Sequence, residues 1–142
     1  MTNPAPAASL QTVTITIPID LHPLTKNRRS LRWQVNHGRS LKAKDTAYKC
    51  WLAAGRPHIN GAVVVDIEYR HYRARRYDSD AIVYALHGIR DSLFVGAITK
   101  TDSPKWCHFR TPIQVREPQF KDRPEVVFHV TATGIPPMQA IR

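Results

Sequence analysis

Residues 63–115 pass from a strand pattern through a helix pattern and back to a strand pattern, and this order restricts the fold more than any other feature. The segment AVVVDIEYRHY alternates apolar and polar residues over 63–69, which is typical of a strand with one wet face. Over about 79–95 the apolar residues recur instead with helical spacing, and Gly96 is expected to end that helix. A further strand is predicted over 105–115.

One strand, one helix and a closing strand complete the pattern. The segment TVTITIPI alternates threonine with Val and Ile and predicts a strand over 13–17. A helix is predicted over about 40–54, where Gly55 ends it, and a last strand is predicted over 125–132. The order strand, helix, strand, helix, strand, strand predicts an α+β domain in which two helices cover one face of a small mixed sheet.

A chain of 142 residues has the length of one domain. We expect that domain to span 12–133, with loose tails at 1–11 and 134–142. No apolar run reaches membrane-spanning length and no signal-peptide pattern is found, so we expect no membrane partner and a cytoplasmic setting. The two cysteines have no C-x-x-C spacing and indicate no disulfide framework.

The balance of charge favours a polyanionic partner. The chain has 21 Lys and Arg against 11 Asp and Glu, a formal charge of +10, although many small basic proteins are merely soluble. A basic segment at 26–33 ends in a tryptophan. This side chain could stack on an unpaired base or pack under its own loop. A second, at 73–76, leads directly into Asp78. The candidate nucleic-acid-binding residues are Lys26, Arg28, Arg29, Arg32, Trp33, Arg73, Arg75, Arg76 and Lys105.

Four of the 11 acidic residues lie between Tyr77 and Trp106. They are Asp78, Asp80, Asp91 and Asp102. Because hard oxygen ligands bind divalent cations well, such a concentration in a basic protein predicts a metal site. We expect Asp78 and Asp80 to share one side of an extended segment, with Asp102 joining them from a later turn. The alternative for one of the first two carboxylates is capping of the helix that follows.

The helix predicted over 79–95 has two faces. Four apolar residues recur at the helical spacing i, i+4, i+7, i+11 and share one face. Four polar residues recur at the same spacing, each two residues earlier, and so lie on the opposite face. The apolar face consists of Ile82, Leu86, Ile89 and Leu93, and the polar face of Asp80, Tyr84, His87 and Asp91. Asp91 taken alone is therefore better explained as a solvated or structural residue.

The acidic stretch resembles the RusA family of Holliday junction resolvases, which includes phage-encoded RusA-like endonucleases. The D-S-D at 78–80 matches the D-x-D at the family's helix start, and the D-S-L at 91–93 matches its D-x-L. The T-D-S-P-K at 101–105 is similar to the D-D-S-P-K of phage members. The element order is similar over roughly 13–131, but the resemblance is specific only between Asp78 and Lys105.

Three positions depart from the family pattern. Ala81 stands where the family has Asn, and Thr101 stands where it has the first Asp of D-D. His87 stands at the position of a catalytically important Lys. A protonated histidine beside a phosphate could take over that role, whereas an ordinary surface histidine would leave a slow or inactive protein.

The resemblance implies an endonuclease that uses Mg²⁺, with Mn²⁺ as a substitute, to cleave branched DNA such as four-way junctions. It implies Asp78, Asp80 and Asp102 as catalytic metal ligands, His87 as a further catalytic residue and Asp91 in a supporting role. Symmetric cleavage of a junction needs two active sites, so a homodimer is implied. The alternatives are a RusA-like protein that grips DNA without cutting it and a basic RNA-binding protein.

Overall fold

A computed structural model describes residues 11–21, 33–73 and 75–134, without the side chains of 33–37, 39 and 40. Almost all of the two predicted tails therefore lies outside the described residues. The described chain has an α+β fold with a mixed five-stranded sheet and three helices, which confirms the predicted fold class. No helix within these ranges is both long and apolar enough to cross a membrane.

The elements follow one another in the predicted order, with the strand predicted over 105–115 divided in two. The strands are β1 (Thr12–Ile17), β2 (Val63–His71), β3 (Cys107–Phe109), β4 (Ile113–Arg116) and β5 (Glu125–Ala132). The helices are α1 (Trp33–Ala53), α2 (Ser79–Ala85) and α3 (His87–Phe94). A 3₁₀ turn at Pro118–Phe120 precedes β5.

Strand β2 lies at the centre of the sheet. It pairs in antiparallel fashion with β5, which pairs in turn with β1, and it pairs in parallel with both β3 and β4. Because parallel neighbours need a crossover connection, α2 and α3 carry the chain from the carboxyl end of β2 back to its amino end. Val63, the first residue of β2, pairs with Cys107, and Tyr69 near its end pairs with Gln114.

The core lies between the helices and one face of the sheet. Alternate residues of β1, β2 and β5 point into it, because successive side chains of a strand face opposite ways. The buried strand residues include Val13, Ile15, Ile17, Val63, Val65, Ile67, Tyr69, Val126, Phe128 and Val130, and the helices add Ala43, Ala47, Ile82, Leu86, Ile89 and Leu93. Each large apolar side chain contributes about 1.5–3 kcal/mol by its burial.

The opposite face of the sheet carries threonines and charged residues. Arg70 donates hydrogen bonds to Glu68 at 2.9 Å and to Glu125 at 3.0 Å, and His129 lies 3.4 Å from Glu68. Partial burial acts to raise the pKa of Glu68, but the hydrogen bonds and charges of Arg70 and His129 outweigh it and hold that pKa below its ordinary value. These ion pairs satisfy the charges along this half-buried face.

Two predicted helix boundaries differ from the structure. Helix α1 begins at Trp33 rather than near residue 40, in a stretch whose sequence lacks an apolar period. The helix predicted over 79–95 is interrupted at Leu86, whose N–H lies 3.0 Å from the carbonyl oxygen of Ile82 and 3.2 Å from that of Val83. This shared bond tightens the turn, and helical bonding resumes in α3. Both predicted end glycines, Gly55 and Gly96, have positive φ angles, of 91° and 84°.

The packing of α3 predicts a large cost for a cavity beneath it. Leu93 of α3 is fully buried in the core. Leu93→Ala should therefore lower the free energy of unfolding by about 2–5 kcal/mol in urea denaturation. Val95→Ala is the control, because this nearby side chain is 52% exposed and its truncation should change that energy by less than about 0.5 kcal/mol. Equal effects of the two substitutions would contradict this packing.

Candidate metal and nucleic-acid site

Asp78 and Asp80 lie at the start of α2, at the carboxyl end of β2. Asp78 has an extended backbone, and its carbonyl oxygen accepts the first helical bonds, from the N–H groups of Ala81 at 3.1 Å and Ile82 at 3.2 Å. Its carboxylate makes no capping hydrogen bond. Asp80 lies in the first turn of the helix and is exposed. Neither carboxylate is therefore used as a cap.

The extended conformation of the chain ends at Asp78, sooner than predicted. Helix α2 begins at Ser79, so Asp80 has a helical backbone and the strand-like alternation that would place Asp78 and Asp80 on one side does not apply. This expectation was wrong because the D-x-D pattern spans the transition from the loop after β2 to the helix. Both carboxylates instead lie at the helix N-terminus, where the helix dipole favours negative charge.

Most acidic side chains of this protein have a polar partner, but the predicted metal ligands do not. Within the described ranges, Asp78, Asp80 and Asp102 have no hydrogen-bond or ion-pair partner, and Asp122 shares that property. The partnered acids are Asp20 with Tyr69, Asp45 with Lys49, Asp66 with Arg110, Glu68 and Glu125 with Arg70, Asp91 with Lys44, and Glu117 with Gln119. The carboxylates predicted as ligands are thus open to a cation.

The donor set fits Mg²⁺ in kind but is incomplete. Two exposed carboxylates are ligands that this ion uses, together with water molecules and phosphate oxygens. No group of three or more His, Cys, Asp or Glu side chains in the described part of the chain could hold a metal ion. Asp78 and Asp80 could therefore hold one only with ligands from outside this set.

Several arginines lie in or against the segment that leads into α2. Arg73, Arg75 and Arg76 are exposed and directly precede Tyr77 and Asp78. The Arg73 guanidinium lies 4.5 Å from the centre of the Tyr77 ring, and Arg116 of β4 donates a 3.4 Å bond to the Arg73 carbonyl oxygen. These four residues form the arginine cluster (Arg73, Arg75, Arg76 and Arg116), which lies in or against the segment directly before the two carboxylates. Arg116 was missed in the sequence, because only the pairing of β4 with the end of β2 brings it here.

Gln114 of β4 fixes the residue before Asp78. Its Oε1 accepts the Tyr77 N–H at 2.9 Å, and its Nε2 donates to the Tyr77 carbonyl oxygen at 2.8 Å. The same Oε1 lies 3.0 Å from Nε2 of the buried His71. No motif in the sequence indicates this contact.

Three aromatic rings pack beneath this segment. The Tyr69 ring lies 5.9 Å from that of Tyr77 and 4.7 Å from that of His71. The Tyr69 hydroxyl donates a 2.7 Å hydrogen bond to Asp20. Burial, and after it this bond, raises the pKa of Tyr69 above its usual range. Tyr69 is therefore a neutral donor that joins the loop after β1 to the same end of the sheet.

Asp102 lies elsewhere. It precedes β3, and its negative charge adds to the rise that burial causes in the pKa of the Cys107 thiol, so it lies in the neighbourhood of that thiol. Cys107 pairs with Val63, whereas Gln114, which holds Tyr77, pairs with Tyr69. Val63 and Tyr69 are six residues apart on β2, or about 20 Å. In the described chain Asp102 thus lies toward the amino end of β2 and Asp78 and Asp80 toward its carboxyl end, and the three do not form a group of possible metal ligands.

The polar face predicted for the helix is exposed, as expected, but its members have different neighbours. His87, the first residue of α3, is exposed and packs edge-on to Tyr84 at 6.0 Å. Asp91 lies 3.8 Å from Lys44 of α1, and both side chains are about half exposed, so this pair contributes less than about 1 kcal/mol. Asp91 therefore links α3 to α1.

Only some of the remaining predicted nucleic-acid contacts lie among the described residues. Lys105 is exposed in the turn between Asp102 and β3. Trp33 begins α1, but its side chain is outside the description. The predicted contacts Lys26, Arg28, Arg29 and Arg32 lie outside the described residues.

Comparison with protein families and with curated proteins finds no similar protein. No family model matches the chain, and no curated protein is found to be similar to it. The resemblance to the RusA family stays a prediction that rests on the residues between Asp78 and Lys105.

The absence of a capping bond at Asp78 can be tested by stability. In metal-free buffer, Asp78→Ala should lower the free energy of unfolding by less than about 0.5 kcal/mol, because no hydrogen bond is lost and the relief of repulsion with Asp80 offsets the lost attraction to the helix dipole. Ser92→Ala is the comparison, since the Ser92 hydroxyl donates a 2.8 Å bond to the Lys44 carbonyl oxygen and its loss should cost about 1 kcal/mol. A larger loss at Asp78 than at Ser92 would indicate a cap.

Proposed function

We propose that this protein is a Mg²⁺-dependent endonuclease that cuts branched DNA, with four-way junctions as its substrate. The observation that carries the proposal is the pair of unpartnered carboxylates, Asp78 and Asp80, beside the arginine cluster. The resemblance to the RusA family supplies the substrate class. Such an enzyme would work in the cytoplasm of a bacterial or phage-infected cell.

The residues divide the chemistry between them. Asp78 and Asp80 would hold Mg²⁺, which would supply a water molecule of lowered pKa and positive charge next to the phosphate. The arginine cluster attracts the DNA backbone and keeps the scissile phosphate beside the carboxylates. His87, the first residue of α3, stands where the family has its lysine and adds positive charge when protonated.

Asp102 enters the proposal through a second copy of the chain. Within one protomer Asp102 precedes β3, which pairs with the amino end of β2, whereas Asp78 and Asp80 follow the carboxyl end of β2. In a homodimer, Asp102 of one protomer can complete the site that Asp78 and Asp80 begin in the other. Two such sites related by two-fold symmetry suit the symmetric cleavage of a junction.

A second candidate is a protein that grips branched DNA without cutting it. The observation that favours it is the lack of any three-ligand group in the described part of the chain. The substitutions at Ala81, His87 and Thr101 point the same way. In either case binding should weaken steeply with salt, because contacts to phosphates release counterions.

The enzyme proposal predicts nicking that depends on the metal and on Asp80. The wild type should nick a synthetic four-way junction in Mg²⁺ or Mn²⁺, and Asp80→Asn should reduce the rate by more than the roughly 10–100-fold typical of residues behind the ligands. Asp122→Asn is the matched control, since Asp122 is also exposed and unpartnered in the described chain but lies outside the site. Junction binding by the wild type without nicking in either metal would leave only the second candidate.

The shared site predicts complementation between two inactive variants. A heterodimer of Asp80→Asn with Asp102→Asn, isolated with two different tags, keeps one site free of substitutions if each site draws on both chains. It should nick junctions at about half of the wild-type rate, since one of its two sites is intact. Inactivity of this heterodimer, with both homodimers also inactive, would place all the ligands in one chain.

A further inference from the structure

The Gln114 side chain holds both backbone groups of Tyr77. Its amide reproduces the hydrogen bonds that a neighbouring strand would make, with a 2.9 Å bond from the Tyr77 N–H and a 2.8 Å bond to the Tyr77 carbonyl oxygen. Tyr77 lies outside β2 and α2, so no strand or helix supplies these partners. Gln114 thus supplies hydrogen bonds that the segment between β2 and α2 would otherwise lack.

His71 fixes the orientation of that amide. Its Nδ1 accepts the Arg73 N–H at 3.2 Å, so in the neutral ring Nε2 carries the proton and donates to Gln114 Oε1 at 3.0 Å. Oε1 therefore accepts two bonds, and Nε2 of Gln114 donates the third. A reversed amide would set its NH₂ group against two donors. The four residues form one connected set with a single arrangement.

This set controls the start of α2. Tyr77 is bonded directly to Asp78, whose carbonyl oxygen accepts the first two helical hydrogen bonds. We infer that Gln114 is a positioning residue, which holds Tyr77 so that the Asp78 and Asp80 carboxylates are presented to a divalent cation from a fixed helix start. The inference rests on the proposed function for its metal, but the effect on α2 can be measured without one.

A purely structural role for Gln114 would have different consequences. Loss of three hydrogen bonds could lower the stability of the whole domain, and every property would then weaken together. A positioning role predicts a local effect, confined to the segment from Tyr77 to Ile82, and a specific loss of metal affinity. Residues behind metal ligands typically change that affinity by roughly 10–100-fold.

The experiment compares Gln114→Met with Gln119→Met in the full-length protein. Methionine has a similar length to glutamine but can make none of the three bonds. Gln119 lies in the 3₁₀ turn that follows β4 and bonds only to Glu117 in the described chain, so it is the matched control. Amide hydrogen exchange is measured on the metal-free proteins, and Mn²⁺ binding is measured by calorimetry.

In Gln114→Met, exchange should speed up at the amides of Tyr77, Ala81 and Ile82, while that of the buried residues Ile89 and Leu93 stays unchanged. The Mn²⁺ dissociation constant should rise by roughly tenfold or more, and Gln119→Met should match the wild type in both measurements. Nicking by Gln114→Met should recover at saturating Mg²⁺, because the ligands themselves are intact.

Several results would overturn the inference. Unchanged exchange at Tyr77, or unchanged Mn²⁺ affinity when the wild type binds Mn²⁺, would remove the positioning role. If Gln114→Met does not fold, Gln114→Glu decides the question, since it keeps the acceptor for Tyr77 and His71 but cannot donate to the Tyr77 carbonyl oxygen. Wild-type affinity in that variant would equally contradict the inference. A wild type that binds no Mn²⁺ refutes the proposed function and the metal part of the inference, whereas the exchange result still decides whether Gln114 holds α2.

Discussion

The parallel pairing of β2 with β3 and β4 is the constraint on which the other features depend. It forces α2 and α3 to carry the chain from one end of β2 to the other. The start of α2, with its carboxylates, therefore lies at the carboxyl end of β2, and Asp102 lies near the amino end. The same pairing brings Arg116 to the arginine segment and Gln114 to Tyr77. A shift of two residues in the register of β4 would remove both contacts.

The distribution of charge is the second feature that supports the proposed metal site. The protein has a formal charge of +10, and most of its carboxylates are bonded to a cation or to another donor. Asp78 and Asp80 follow several arginines in the sequence and have no bonded partner in the described chain. Exposed carboxylates with nothing bound cost little in water, so the fold does not require them to be paired. A divalent cation and a phosphate together would neutralise both the acids and the arginines.

Local patterns in the sequence predicted the elements but not their contacts. The two-residue period of 13–17 and 63–69 and the two faces of the 79–95 segment depend on neighbouring residues alone, and the buried and exposed positions confirm them. The interruption at Leu86 and the bond of Gln114 to Tyr77 depend on how distant segments pack. The separation of Asp102 from Asp78 follows from the direction of β3 relative to β2, which no motif encodes. The resemblance to the RusA family is what grouped these three acids, and that grouping stays a prediction.

The proposed site at the start of α2 would hold a divalent cation. The most direct measurement is the anomalous scattering of Mn²⁺ soaked into crystals of the protein. A peak within about 2–2.5 Å of carboxylate oxygens of both Asp78 and Asp80 is the predicted result. A Mn²⁺ peak bound only at other acidic side chains, or the absence of a peak at millimolar Mn²⁺, would contradict the account.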